Sequence, residues 1–210
     1  MTSRYDPESV LQLWFPDNGH QDSMDAHQEF WNERMHGGMD AEITANFADL
    51  TQAAATGVLD HWAETPRGRL ALLIALDQFP RSLWRDTPAA YSQDIKATRL
   101  AIEGIENGHF DGLAPWEQTF FVIAISHCEG PDHARRMDWL TKVVEGISAR
   151  IPKPISDMGD VLKAQHERVH GIIQRFGRHP HRNKILGRPS TPEEERYVET
   201  GDFPHLKRQD

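Results

Sequence analysis

Apolar residues recur at intervals of three and four along most of the chain, which is the spacing of one face of an α-helix. The segments with this spacing begin at Ser, Thr, Asp or Pro, and several end at glycine, as helices do. No run of four or more residues alternates convincingly between apolar and polar positions, so no strand is predicted. The pattern predicts an all-α fold with helices in the ranges 6–15, 23–38, 39–57, 65–79, 87–108, 114–130, 132–151, 160–177 and 190–198.

Two of the predicted helices are apolar on nearly every face, at residues 70–76 (LALLIAL) and 120–125 (FFVIAI). Helices of this kind lie in the centre of a helical bundle. The connections between the predicted helices are short, as antiparallel pairs of neighbouring helices require. A single helical domain is therefore expected over residues 1–210, with residues 201–210 as a flexible tail.

Composition and charge argue against several classes of protein. The chain has 210 residues, a net charge of −9 and one cysteine, Cys128. A chain of this length buries a core without disulfides. Its first residues lack the features of a secretory signal, and no apolar run approaches the ~20 residues that cross a bilayer. The acidity opposes nucleic-acid binding, which only the basic run at 175–188 favours. A cytoplasmic protein that binds neither nucleic acid nor membrane is predicted.

Each of the two central helices ends in a polar cluster. Asp77 and Arg81 follow the first apolar segment, and His127 and Glu129 follow the second. A charge at the end of a buried helix needs a partner, and the C-terminus of a helix favours cations. The concentrated source of cations is the segment 175–188, RFGRHPHRNKILGR. We therefore expect the three clusters to lie together in the fold.

Three motifs carry a resemblance to a known family. They are DQFPR at 77–81, a His-x-Glu at 127–129, and HGIIQRFGRHPHRNKILGRPSTPEEERYV at 170–198. In these motifs, and over most of its length, the chain resembles the bacterial domain-of-unknown-function 924 family. The resemblance implies an all-α fold like that of the tetratricopeptide-repeat superfamily, and it implies no activity. Cys128 and Ser82 depart from the family's usual residues, which argues against a nucleophilic role for either.

The motif positions suggest a site for a small anionic molecule, because arginine and histidine side chains recognise carboxylates and phosphates. By count, Arg81, Arg178 and Arg182 exceed Asp77 and Glu129 by one, which predicts a net positive pocket. Catalysis by Glu129 with a neighbouring histidine stays open, and no cofactor is indicated. The candidate ligand-binding residues are Asp77, Gln78, Arg81, His127, Glu129, His170, Arg178, His181, Arg182 and Asn183.

Two alternatives of a different class stay open. In the first, the same charged residues pair only with each other and lock the helix ends together as a structural network. In the second, the helices form a protein-interaction module, or a homo-oligomer, through an exposed aromatic groove. The tryptophans available for such a groove are Trp14, Trp31, Trp62, Trp84, Trp116 and Trp139.

A third alternative is a zinc hydrolase, because HERVH at 166–170 matches the H-E-x-x-H pattern of helical zinc sites. On a helical projection His166 lies at the edge of the apolar stripe, whereas Glu167 points away from it. Arg168 follows the glutamate, and its charge opposes both metal binding and the action of a base. No metal is therefore expected.

Overall fold

The computed structural model describes residues 4–201, and no strand occurs within them. The predicted all-α fold is confirmed. The α-helices are α1 (Pro7–Trp14), α2 (Met24–Glu33), α3 (Asp40–Asn46), α4 (Ala48–Ala55), α5 (Pro66–Asp77), α6 (Phe79–Leu83), α7 (Asp94–Glu106), α8 (Pro115–His127), α9 (His133–Ser148), α10 (Met158–Phe176) and α11 (Pro192–Glu199). Shorter segments are Arg34–Gly38, whose backbone leaves the helical region at His36 and Gly37, and 3-10 turns at Asp60–Glu64, Pro88–Tyr91, Lys153–Ile155 and Pro180–Arg182.

Side-chain caps define where several helices begin. Asp6 precedes α1 and accepts a hydrogen bond from a backbone N–H of its first turn. Ser23 and Thr65 cap α2 and α5 in the same way. Thr191 and Glu194 form a reciprocal capping box at the start of α11. These caps satisfy backbone donors that a helix N-terminus otherwise leaves unpaired, so the start signals in the sequence act as predicted.

Two long predicted helices are shorter in the structure. The predicted helix 39–57 divides at Phe47, whose backbone leaves the helical region (φ −122°, ψ 2°). The division turns the Phe47 ring into the core, where its centroid lies 5.2 Å from that of Phe79. Packing of this ring therefore accompanies the break, which the helical spacing of the sequence does not reveal.

The predicted helix 87–108 starts later than expected. Its first part is the 3-10 turn, and α7 begins only at Asp94. The carbonyl of Ala90, which a continuous helix would use for the backbone N–H of residue 94, accepts a hydrogen bond from the Arg81 side chain instead. A tertiary contact thus replaces a helical one.

The core is centred on α5, as the sequence predicts. Every side chain of residues 70–76 is fully buried. α5 packs against α1, α4, α7 and α8, and α9 packs between α8 and α10. Residues 120–125 of α8 are buried as well, except Ile123, which is half-buried and faces a surface groove. The central position predicted for this segment therefore holds for every residue of it but Ile123.

Three further predictions from the sequence concern the C-terminal tail, the arrangement of the helices and the absence of a membrane span. The expected tail at 201–210 falls outside the described residues, apart from Gly201. The tetratricopeptide-like arrangement implied by the resemblance stays a prediction. None of the helices within the described part of the chain combines the length and apolar character that a membrane span requires.

Candidate functional site

The C-terminal ends of the two central helices meet. Asp77, the last residue of α5, is 1% exposed and lies against His127, the last residue of α8, with His127 Nδ1 2.8 Å from Asp77 Oδ1. Gln78 donates to the other carboxylate oxygen at 2.5 Å. Burial alone would raise the pKa of Asp77, but the attraction of His127 and the hydrogen bonds from His127 and Gln78 lower it below its ordinary value. Asp77 is therefore ionised.

A second buried carboxylate, Asp94, joins two arginines. Arg81 Nη2 donates to Asp94 Oδ1 at 2.7 Å, and Arg182 Nη1 donates to Asp94 Oδ2 at 3.0 Å. Both guanidinium groups also lie over the ring of Tyr91, at 4.8 and 4.5 Å from its centroid. Burial lowers the pKa of Arg182, whereas the charge of Asp94 opposes that shift. Asp94 thus holds the arginines from two distant segments in one place.

Side chains from other segments cap the end of α8. His133 and His179 each place Nε2 near the carbonyl of Ser126, at 2.9 and 3.0 Å. Arg182 donates to the next carbonyl, that of His127, at 2.8 Å. The last carbonyls of a helix have no partner within the helix and carry a partial negative charge, so arginines and imidazole N–H groups satisfy them well.

The remaining predicted arginine cluster divides between two carboxylates. Glu129 accepts a hydrogen bond from the backbone N–H of His179 at 2.7 Å and forms an ion pair with Arg188. Arg178 forms a two-point pair with Glu194 at 2.7 and 2.9 Å. These pairs fix the turn that follows α10 and connect it to the start of α11.

The charge count at the site differs from the sequence expectation. The arginines that meet there, Arg81 and Arg182, share Asp94, and Arg178 is paired with its own carboxylate outside the cluster. With Asp77 also present, the predicted surplus of one arginine is wrong. Any preference for an anion must come from the local arrangement of polar atoms.

A small cavity of about 70 Å³ opens beside this cluster, between α8, α10 and the turn at 179–182. Its polar lining consists of one arginine, four histidines, a serine and a glutamine. No carboxylate lies among the described residues that line it. The lining residues are Val122, Ile123, Ser126, His127, Leu162, Gln165, His166, Val169, His179, His181 and Arg182.

Two of the cavity histidines are neutral. Burial lowers the pKa of His179 well below its ordinary value, and the charge of Arg182 lowers it further. Burial also lowers the pKa of His166, whose Nε2 lies 3.0 Å from Thr141 Oγ1. Within residues 4–201, His166 Nδ1 and Arg182 Nε are buried and have no hydrogen-bond partner. Buried polar atoms of this kind are costly to leave unsatisfied.

The structure brings most predicted site residues together, but not all. Asp77, Gln78, Arg81, His127, Glu129 and Arg182 lie in one connected network, and His181 lines the cavity. His170 and Arg178 lie outside this network and cavity, whereas Asn183 joins the network at its edge, because its Oδ1 accepts a hydrogen bond from Arg188, the partner of Glu129. His170 lies 2.8 Å from Asp138, Arg178 pairs with Glu194, and Asn183 donates to Ser190 at 3.0 Å.

The HERVH segment contributes one residue to the cavity, His166, and not a metal site. Glu167 is exposed, and His170 turns to Asp138. Within the described ranges, no three His, Cys, Asp or Glu side chains are grouped so that they could hold a metal ion. The histidine pair therefore belongs to two different contacts, one in the cavity and one at the surface.

Comparisons with known proteins identify the family of the chain. A family model described as a bacterial protein of unknown function (DUF924) matches residues 10–202. The chain belongs to this family. The DUF924 protein is also similar to the solved structure of a protein of unknown function from Agrobacterium tumefaciens, with 30% identity and a TM-score of 0.68. That similarity covers 93% of this chain and 96% of the other. No curated protein matches.

Sequence reasoning missed three residues of the DUF924 site. Asp94 was not predicted, because only Asp77 and Glu129 were expected as partners for the arginines. His166 was expected at the rim, and it lines the cavity as a buried residue. His179 was not predicted as a site residue. Its position between two motif residues was the available signal.

Replacing Glu194 with glutamine tests how the turn after α10 is fixed. The hydrogen bond from Arg178 lowers the pKa of Glu194 to about 2, burial acts against this, and a backbone N–H lowers it further. A lowered pKa stabilises the fold above the ordinary value of 4.5, and this contribution disappears as the pH falls towards 2. We expect a loss of about 1.5–3 kcal/mol at pH 7 that shrinks below pH 4.5.

Urea unfolding at several pH values measures this difference. Glu193→Gln is the matched control, because Glu193 pairs with Arg175 at the surface, where both side chains are more than half exposed. Its cost should stay below about 1 kcal/mol at every pH. Equal costs for the two variants at pH 7 would contradict the assignment of Glu194 as the buried partner.

Proposed function

We propose that this DUF924 protein binds a small anionic molecule in the cavity beside Arg182. One observation carries the proposal. The polar lining contains an arginine and four histidines, whereas the carboxylates of Asp77 and Asp94 contact His127 and Arg182 without lining the cavity themselves. Hydrogen-bond donors that converge on a space without acidic side chains favour a carboxylate or a phosphate. The overall charge of −9 does not decide this local preference.

The individual donors support the same proposal. Arg182 uses Nη1 for Asp94 and for the carbonyl of His127, which leaves the buried Nε without a partner in the described part of the protein. His127 uses Nδ1 for the ionised Asp77, so its N–H is on Nδ1 and its Nε2 is the atom available to a ligand.

The small volume limits the group that enters. A water molecule takes about 30 Å³ in the liquid, so a cavity of about 70 Å³ accepts a group of a few heavy atoms. Proton transfer by His127, held by Asp77, is a chemical capacity of the same site, and no reaction is assigned to it. A cytoplasmic location, which the single buried cysteine favours, is part of the proposal.

Phosphate and acetate test the proposal by their effect on the melting temperature. We expect either anion at about 100 times its Kd to stabilise the wild type by about 2.7 kcal/mol, a rise of about 5–10 °C, with chloride at equal ionic strength as the reference. The rise should disappear in Arg182→Ala. Because that variant disturbs a buried ion pair, His166→Phe provides a second test that keeps the ring and removes its nitrogens.

Arg178→Ala is the matched control for these variants. Arg178 belongs to the same predicted cluster, but it pairs with Glu194 and does not line the cavity. This variant should melt at a lower temperature and keep the full rise with anion. If neither anion raises the melting temperature of the wild type, the network is structural, which is the first alternative.

The interaction-module alternative has less support. Trp14 and Trp62 are buried in the core, and Trp139 is the one tryptophan among the exposed large apolar side chains of the described residues. Trp31 alone among the six lines the apolar groove beside the cavity. The tryptophans therefore do not form a common binding surface.

A further inference from the structure

A groove of about 760 Å³ lies directly beside the cavity, between α2, α8 and α10. Ile123, Leu162 and Gln165 line both spaces, so the cavity and the groove adjoin at these three side chains. A molecule whose polar end occupies the cavity would therefore place the rest of its length against the groove. The groove is a part of the surface that the anion proposal does not use.

Eight of the sixteen residues that line the groove are apolar. Trp31 and Phe120 contribute their rings, which lie 5.3 Å apart between centroids. Met24, Met35 and Met158 contribute thioether side chains. Methionine is flexible and polarisable, so it adapts to apolar ligands of irregular shape. The surface suits an unbranched hydrocarbon chain better than a polar one.

We propose that the ligand is an amphiphile with a carboxylate head and an unbranched apolar chain of about eight carbons. The head binds in the cavity beside Arg182, and the chain lies in the groove against Trp31 and Met158. This inference rests on the proposed function, because the cavity must bind an anion for the head to be held there.

The charges of the two spaces fix the direction of the ligand. Among the described residues that line the groove there is no arginine or lysine, and Asp25 and Glu29 are exposed at its edge. A carboxylate is repelled by these two side chains and attracted by the arginine of the cavity. Burial lowers the pKa of His27, inside the groove, to about 4, so this histidine is neutral and offers no opposing charge.

The volume of the cavity limits the size of the ligand's head, and the length of the groove indicates the length of its chain. A carboxylate matches the cavity, which offers one arginine and only a small volume. On α10 the groove extends from Met158 to Gln165, which is about 10 Å of helix. With carbon–carbon bonds of about 1.5 Å in a zigzag, a chain of about eight carbons covers that length.

Titration calorimetry with acetate, butanoate and octanoate tests the inference on the full chain. A methylene fully removed from water improves the affinity about fourfold. Because the groove is open to solvent on one side, we expect octanoate to bind at least about ten times more tightly than butanoate. Octan-1-ol, which has the chain without the charge, should bind at least about ten times more weakly than octanoate.

A pair of valine variants locates the chain of the ligand. Val161 lines the groove and is 50% exposed, whereas Val58 is 63% exposed and lies outside the groove. Val161→Glu should weaken octanoate about tenfold and leave acetate unchanged, because it adds a negative charge beside the chain only. Val58→Glu adds the same charge to the protein and should change neither.

Each result decides between the two proposals. Equal affinities for butanoate and octanoate, both lost in Arg182→Ala or His166→Phe, would overturn the amphiphile and leave the anion site in place. Octanoate binding that Val161→Glu and Val58→Glu affect equally would also overturn it, because the chain would then lie elsewhere. Equal binding of octanol and octanoate, or no binding of any acid, would overturn the amphiphile, and the anion site would fall with it only if phosphate also leaves the melting temperature of the wild type unchanged.

Discussion

Replacing Asp94 with alanine is expected to lower the free energy of unfolding by about 3–5 kcal/mol, because the buried Arg182 and the half-buried Arg81 then lose the carboxylate that they share. Asp94 is 5% exposed and accepts hydrogen bonds from Arg81 at 2.7 Å and from Arg182 at 3.0 Å. Urea unfolding followed by circular dichroism at pH 7 measures the change. Its effect should be among the largest of any single charged residue in the protein.

Asp49→Ala is the control for this prediction. Asp49 also pairs with an arginine, Arg4, but their side chains are 78% and 74% exposed. Exposed pairs of this kind contribute about 0–1 kcal/mol. A cost of Asp94→Ala that does not exceed that of Asp49→Ala would mean that water reaches Arg81 and Arg182 and that the network is not the buried junction described above.

Replacing Leu73 with alanine is expected to lower the free energy of unfolding by about 2–5 kcal/mol. Leu73 is fully buried on α5 within the central hydrophobic cluster, so the shortened side chain leaves a cavity that the packed helices cannot close. The same urea experiment measures the change, and a value below about 1 kcal/mol would show that the core is not centred on α5.

Two further alanine variants calibrate this result. Val58→Ala removes apolar atoms from a side chain that is 63% exposed and should stay within about 0.5 kcal/mol of the wild type. Ile123→Ala should lie between Val58→Ala and Leu73→Ala, because Ile123 is half-buried at the groove. The sequence alone gives equal expectations for Leu73 and Ile123, since both stand in apolar segments.

The helices could be predicted from the sequence because the features that determine them are local. Caps such as Asp6 and Thr191 and apolar spacing act within a few residues of each other. The helix breaks at Phe47 and before Asp94 could not be predicted from the sequence. Each depends on a tertiary contact, the Phe47 ring with Phe79 and the Arg81 side chain with a carbonyl of the following turn.

Part of the candidate site could be predicted from the sequence, because the position of a helix end is also a local feature. Helix dipoles indicated that cations would gather at the ends of α5 and α8, and Arg182 does lie there. Asp94 was missed because the predicted helix 87–108 places it in the interior of a helix, where no local feature marks it as a partner for arginines. Its partners, Arg81 and Arg182, are 13 and 88 residues away, and no local pattern encodes that pairing.

The capping of α8 by distant side chains has a consequence for how the protein is made. The carbonyls of Ser126 and His127 bind His179 and Arg182, which follow them by 53 and 55 residues. Contacts of such long separation form late, because a long loop must close first. As the chain leaves the ribosome, the central helices emerge well before the turn that completes the end of α8. The cavity therefore requires a polypeptide synthesised past residue 182, because His179, His181 and Arg182 form part of its lining.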